Sequence, residues 1–230
     1  MFDWKWGFTF EILPRLLDAT INTLLAAGFG YLIALVLGLV FALAQRTPYR
    51  LVTFAVRETV EFIRSTPLVL QIFFVFYVGP QVGVRLSPWV SGMIAIGLHY
   101  AAYLSEVYRA GLDSVPQGQW EACTALNLSV RRTYTKIAIP QAIPTVIPGF
   151  GNYLVGIFKD TPMLSVIGVT ELFHAATSIG AETYRFLEPY TLVGVIFLAI
   201  SLPAALFIRR FEDWVRASLG MEKLHTNDGN

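Results

Sequence analysis

The 230-residue chain holds a single cysteine, Cys123, and three histidines. One thiol cannot close an internal disulfide, and no metal-ligand set accompanies it. Charge is also scarce: Asp, Glu, Lys and Arg make up 14% of the residues, where soluble domains carry about 25%. The formal net charge of +1 offers no basic field for a nucleic acid to follow. No Gly-Lys dipeptide occurs, so the chain has no Walker-type phosphate loop. What remains is 55% hydrophobic and 14% aromatic, which excludes a disordered tail and points to an integral membrane protein. The length suits one membrane domain without an attached enzyme.

Spanning a bilayer takes about 20 mostly apolar residues. Stretches of that kind run over 19–45, 86–105, 137–158 and 189–208. A fifth, 65–84, is interrupted by Pro67, Gly79 and Pro80 and continues an amphipathic segment over 51–64. The expected fold is an all-α polytopic membrane helical bundle with five transmembrane helices. Basic residues sort to one set of loops, at Arg46, Arg50, Arg57, Arg109, Arg131, Arg132, Lys136, Arg209, Arg210 and Arg216. By the positive-inside rule this places the N-terminus outside and the C-terminus inside. Trp4, Trp6, Phe8, Phe10 and Trp89 suit an outer interfacial belt. No basic n-region precedes the first apolar run and no small-residue cleavage site follows it. The first span therefore reads as a retained helix.

The longest polar stretch, 109–136, lies between the third and fourth spans. Pro116 and Gly118 are expected to break the descending helix. Residues 119–126 then form a helix with Trp120, Cys123 and Leu126 on one stripe, ended by a left-handed Asn127. Ser129 is positioned to cap a second short helix, which Pro140 closes. Such a helix-turn-helix could lie on lipid headgroups, but the face carrying Glu121 has few cations, so a protein partner fits better.

Glu121-Ala122-Cys123, three residues, Asn127, nine residues, then Ile137-Ala138-Ile139-Pro140 resembles the EAA loop of type I ABC importer permeases. The family pattern has Ala, Gly and Leu where this chain has Cys123, Asn127 and Ile139. Asn is the residue after Gly that best tolerates positive φ. Arg64-Ser65-Thr66-Pro67, Val115-Pro116-Gln117-Gly118 and Lys159-Asp160-Thr161-Pro162 are similar to the polar amino-acid uptake branch (histidine/glutamine-type). Gly97-Leu98-His99-Tyr100 and residues 184–191 are similar to the ectoine/hydroxyectoine permease subunit.

The resemblance implies an outer segment over 1–19, a permease domain over 20–211 with its coupling loop at 112–140, and a cytoplasmic tail over 212–230. It implies a bacterial inner-membrane location and import of a polar amino acid or compatible solute, ectoine-type favoured, by alternating access. Partners would be ABC ATPase subunits, an extracytoplasmic solute-binding protein and a second permease subunit, a heterodimer being favoured over a homodimer. ATP and Mg would be bound by the ATPase, and this chain would hold no cofactor. The EAA loop docks on the ATPase in that family, so Trp120, Glu121, Ala122, Cys123, Asn127, Ile137 and Pro140 are the coupling candidates, with Trp120, Leu126 and Ile137 for packing.

Charges at membrane depth mark paths or internal pairs. Glu61 with Arg64, and Lys159 with Asp160, flank proline breaks, where transporters place polar solutes. Phe73, Phe76, Tyr77 and Tyr100 could add cation–π contact. Each pair could equally staple two helices. His99 reads as a packed residue, and Gly28, Gly30 and Gly38 as a helix-packing set. Glu171, His174, Glu182 and Glu188 fall in an outer segment. Two rival functions are an intramembrane protease, for which Ser105 and His99 are poorly matched on their helix, and a channel or scaffold.

Overall fold

Thirty-nine residues with a single internal proline, Pro14, build the first helix, α1 (Trp6–Ala44), and its length sets the layout of the bundle. The computed structural model describes residues 3–218. At about 1.5 Å per residue α1 is roughly 58 Å long, nearly twice a hydrocarbon core of about 30 Å. The helix therefore begins well before the span expected at residue 19, and its first three turns project beyond it. Leu17, Ile21, Phe29, Leu32, Val36 and Val40 form an exposed apolar face suited to lipid. On the opposite side Ala26, Gly30, Ala34 and Gly38 repeat every four residues and are buried.

That small-residue stripe meets α4 (Pro88–Asp113), the central helix. A Cβ on Gly97 would lie 2.4 Å from Ile33 Cγ2, and one on Gly38 would lie 3.0 Å from the Ala101 carbonyl. The two backbones approach so closely only because no side chain intervenes. Gly28 faces open space, so it does not belong to the packing set with Gly30 and Gly38. The main core joins Ala26, Ala34, Leu68, Ile72, Ile96, Leu104, Ile157 and Leu164.

α2 (Arg50–Ser65) and α3 (Leu68–Phe73) are separated at Thr66–Pro67 and bend by 109° when the helical stretch Leu68–Val82 is taken with α3. Pro67 supplies no N–H and forces Thr66 into extended geometry (φ −108°, ψ 141°). Gln71 stitches the break. Its Nε2 donates to the carbonyls of Ile63 (2.7 Å) and Thr66 (3.1 Å) and to Thr66 Oγ1 (2.7 Å). The Ile63 carbonyl also accepts from the Thr66 N–H at 3.4 Å and the Thr66 hydroxyl at 3.2 Å, so polar groups at the break are satisfied locally. A π turn (Phe74–Val78) and a 3₁₀ turn (Gly79–Val82) follow, ending at left-handed Gly83.

α5 (Gln117–Ala125) and α6 (Val130–Arg132) form the polar loop, and a π stretch (Thr133–Ala138) runs directly into α7 (Ile139–Asp160). A 3₁₀ turn (Thr161–Ile167) leads to α8 (Leu172–Thr183), and α9 (Leu187–Ser218) completes the described chain. Residues 212–218 of the expected tail continue α9, with Arg216 on Glu212 at 2.6 Å, and 219–230 lie outside the described residues.

The projecting turns of α1 are not bare. Ile12 and Leu16 pack on Leu172, Ala176 and Ile179 of α8 and on Val193 and Ile196 of α9. Around this second core Arg15 makes two bonds to Glu182, at 2.7 and 2.9 Å. That guanidinium holds the Glu182 carboxyl below the usual range. Arg185 pairs with Glu188, which also accepts from the Lys5 N–H at 3.2 Å. Glu171 caps α8 through the N–H groups of Phe173 and His174. The four acidic and imidazole candidates of the outer segment are thus mostly internal fasteners.

Among the described residues, α1 and α9 are each long and apolar enough to cross a membrane. Two bent pairs, α2 with Leu68–Val82 and Val130–Ile167 with α8, raise the count to four at most. The expected five is not reached by length and apolarity. The physical reason lies in α4: His99, Tyr100, Tyr103, Glu106 and Arg109 lower its apolar character, and neighbouring helices rather than lipid surround much of it.

Candidate functional site

Four rings project from one region of α4 and α7. His99, Tyr100 and Tyr103 come from α4, where spacing of three to four residues puts them on adjoining faces. Tyr153 comes from α7 and stands 5.9 Å from Tyr100 and 5.7 Å from Tyr103, centroid to centroid. Together with Val107, Gly149, Asn152, Gly156 and Asp160 they line a cavity of about 620 Å³. Gly156 makes room for the ring of Tyr100: a Cβ there would stand 3.1 Å from its hydroxyl.

Asp160, at the last residue of α7, closes one end. The Tyr100 hydroxyl donates to Asp160 Oδ2 at 2.6 Å, which fixes the carboxylate against the rings. His99 Nδ1 lies 3.2 Å from Gln71 Oε1. Because Gln71 Nε2 is committed to the α2–α3 break, its oxygen is free to accept, which favours the Nδ1–H tautomer. The break and the cavity wall are therefore one construction. Such a box can hold a cation against ring faces while one carboxylate neutralises it.

The substrate-path candidates divide. Tyr100 and Asp160 share the cavity. Lys159, one residue along, is exposed and points to a different space with Asn152, Arg209 and Glu212. Adjacent residues on a helix differ by about 100° in direction, so Lys159 and Asp160 line two neighbouring spaces, with Asn152 and Gly156 lining both. Phe73 and Tyr77 pack on each other, tilted, at 5.7 Å between centroids and do not line the cavity. Glu61 and Arg64 do pair, at 3.5 Å, but they line a separate cleft of about 420 Å³ with Arg57, Glu106 and Arg109. The Arg64 guanidinium lies 5.5 Å from the ring centroid of Tyr103, a cavity residue. Tyr103, Asn152 and Tyr153 went unnoticed in the sequence. Tyr100 and Tyr103 carried a signal, being polar rings three apart in an apolar run. Nothing local marked Tyr153.

The polar loop has its own small core. Leu112, Val115, Ala138 and Ala142 are buried together, with Trp120 and Tyr134 packed on them. Trp120 meets Tyr134 edge to face at 5.4 Å. Cys123 is buried, but Leu126 is 72% exposed, so the expected stripe is divided between an inward and an outward side. Asn127 is left-handed, with φ 50°. Leu128 N–H bonds the Cys123 carbonyl and Asn127 N–H bonds that of Thr124, each at 3.0 Å. That pair of bonds is a Schellman helix end. Gly118 lies inside α5 and breaks nothing. Ser129 precedes α6 without a side-chain capping bond. Pro140 does not close the second helix either, because it stands in the first turn of α7, where a missing N–H costs little, and the π stretch carries the chain through. Glu121 is exposed and accepts from Gln117 Nε2 at 3.0 Å, while Ala122 is exposed and Ile137 half-buried.

Residues 11–217 match the family of binding-protein-dependent transport system inner membrane components. The chain belongs to that family: it is an integral inner-membrane permease subunit of an ABC importer, non-catalytic, with the ATPase in a partner subunit. It is 44% identical over 213 residues to a "probable amino-acid ABC transporter permease protein" of Sinorhizobium fredii, covering 90% of this chain and 92% of the relative. It is 34% identical to the L-cystine transport system permease protein of Bacillus subtilis over 191 residues, 81% of this chain and 82% of that one. Among solved structures, an amino acid ABC transporter crystallised with histidines superposes with TM-score 0.86 at 27% identity, over 93% of this chain and 100% of that chain. The methionine ABC transporter in an inward-facing form shares the fold, with TM-score 0.69 at 16% identity, over 92% and 99%.

Proposed function

We propose that this subunit forms part of the path for a polar amino acid or a related zwitterion, and that it works by alternating access. The single observation supporting the reading is the cavity of four rings ending on Asp160, held by Tyr100 at 2.6 Å. Its one carboxylate and its ring faces suit a delocalised cation such as a guanidinium or amidinium. The amino-acid permeases among the relatives agree with this class. Within it, an ectoine-type compatible solute is the favoured candidate from the sequence likeness, its cyclic amidinium being a cation of the required kind.

In this reading α4 is a fifth span, the N-terminus is outside and the loop end is cytoplasmic. A second permease subunit, favoured as a different but similar chain, would complete the path. An external solute-binding protein would deliver the solute at the α8 end. The 112–140 loop would dock on ATPase subunits that bind ATP and Mg, with Glu121 giving a polar contact. A channel or scaffold would need neither partner. The test is reconstitution of the complex in proteoliposomes with candidate solutes. ATP- and binding-protein-dependent accumulation supports the reading. Downhill flux without ATP would return it to the channel alternative.

A further inference from the structure

Arg46 stands in the short connection between α1 and α2 and touches two other parts of the molecule. Its Nη1 bonds Asp113 Oδ1, at the last turn of α4, at 2.6 Å. The same guanidinium lies 5.8 Å from the ring centroid of Trp120 in α5. Asp113 Oδ2 in turn accepts from Arg109 at 3.1 Å, and Arg109 grips Glu106 at 2.6 Å. Below α4, therefore, one cation joins three segments: the end of α1, the end of the helix that carries His99, Tyr100 and Tyr103, and the aromatic anchor of the loop helix.

We propose that Arg46 is a positioning residue for energy coupling, the pin through which displacement of α5 is passed to α4. The inference rests on the functional reading above, which makes the loop the ATPase contact. Stiffness is the physical requirement, since a compliant joint absorbs motion. The small core of Leu112, Val115, Ala138 and Ala142 keeps Trp120 against the bundle through apolar contacts, which carry no direction of their own. The planar guanidinium supplies direction. It bonds a carboxylate through Nη1 while its carbon stays within cation–π reach of a ring, 5.8 Å from the centroid. A lysine in its place keeps the charge and loses the planar, forked donor set.

The experiment uses the reconstituted complex with its ATPase and binding protein, and reads solute imported per ATP hydrolysed, a ratio independent of how much complex assembles. Wild type, Arg46→Lys, Arg46→Gln, Asp113→Asn and the double variant Arg46→Gln/Asp113→Asn are compared. The expected result is a ratio lowered about fivefold or more in Arg46→Gln, the low end of ordinary coupling strengths. Arg46→Lys should fall between it and wild type, and the double variant should be no worse than the worse single one. An unchanged ratio in Arg46→Gln, with uptake and hydrolysis falling together, would overturn the proposal. So would an Arg46→Lys variant that fails to assemble, since Arg46 would then serve folding alone. If wild type shows no ATP-dependent uptake, the functional reading itself fails, a distinct outcome.

Discussion

Tyr100 and Asp160 are sixty positions apart, yet the Tyr100 hydroxyl donates to Asp160 at 2.6 Å and so sets where the cavity's carboxylate points. Each residue depends on a different helix, α4 and α7, and α4 is in turn held against α1 by residues without side chains. A solute cation meeting Asp160 meets an anion whose position is already fixed, which reduces the ordering it must pay for on binding.

Removing either end of that bond should therefore affect transport differently. Asp160→Asn deletes the charge, and hydrogen bonds involving a charged group are worth about 1.5–3 kcal/mol. Apparent KM for a cationic or zwitterionic solute should rise about tenfold or more. Tyr100→Phe keeps the ring and the carboxylate, so the rise should stay within a few-fold. Initial-rate uptake at varied solute concentration separates them. Equal KM values in the two variants would remove Asp160 from the path.

Packing between α1 and α4 makes a second expectation. Gly97→Ala places a methyl 2.4 Å from Ile33 Cγ2 and 2.7 Å from its Cβ, a β-branched neighbour with little room to turn. Overpacking of this kind costs about 1–3 kcal/mol. Gly28→Ala meets nothing within 4 Å and should be neutral. Thermal unfolding of the purified complex checks both, with a lower Tm expected for the first variant alone.

The loop offers a backbone test. Asn127 is left-handed at φ 50°. Asn127→Gly should preserve both the Schellman bonds and uptake. Asn127→Val should cost about 1–2 kcal/mol at that position and lower uptake, because a β-branched residue resists positive φ. Comparable uptake in the two variants would contradict a rigid turn.

The outer bridge between Arg15 and Glu182 responds to pH in a defined direction. Arg15 depresses the Glu182 pKa, so the bridge contributes stability above the ordinary carboxylate range and loses it as pH falls through the depressed value. Both side chains are more than half exposed, so screening limits the size. Melting curves of wild type and Glu182→Gln should differ near neutral pH and converge at strongly acidic pH. A gap that widens on acidification would contradict the assignment.

How far these features were legible depended on whether their cause was local. The left-handed Asn127 and the proline break after Thr66 were, since each follows from one or two adjacent residues. The long apolar runs also located four helices. The start of α1 was not, because Glu11, Arg15 and Asp18 look like a polar lead-in; only the fold brings Arg15 to Glu182. Apolarity likewise understates α4, whose polar side chains turn toward a cavity rather than lipid. Lys159 and Asp160 looked like a pair in sequence, whereas helix geometry turns them to two neighbouring spaces that share Asn152 and Gly156. Tyr153 and Arg46 acquire meaning only from partners far along the chain.

The central claim is that the rings and Asp160 form the solute path of an ATP-driven permease. Its most direct test is solute uptake into proteoliposomes holding the complete importer, wild type against Asp160→Asn, with ATP and binding protein supplied. The account predicts ATP-dependent accumulation in wild type and a large loss in the variant, while binding-protein-stimulated ATP hydrolysis persists. Uptake at the wild-type level in Asp160→Asn at limiting solute would contradict it.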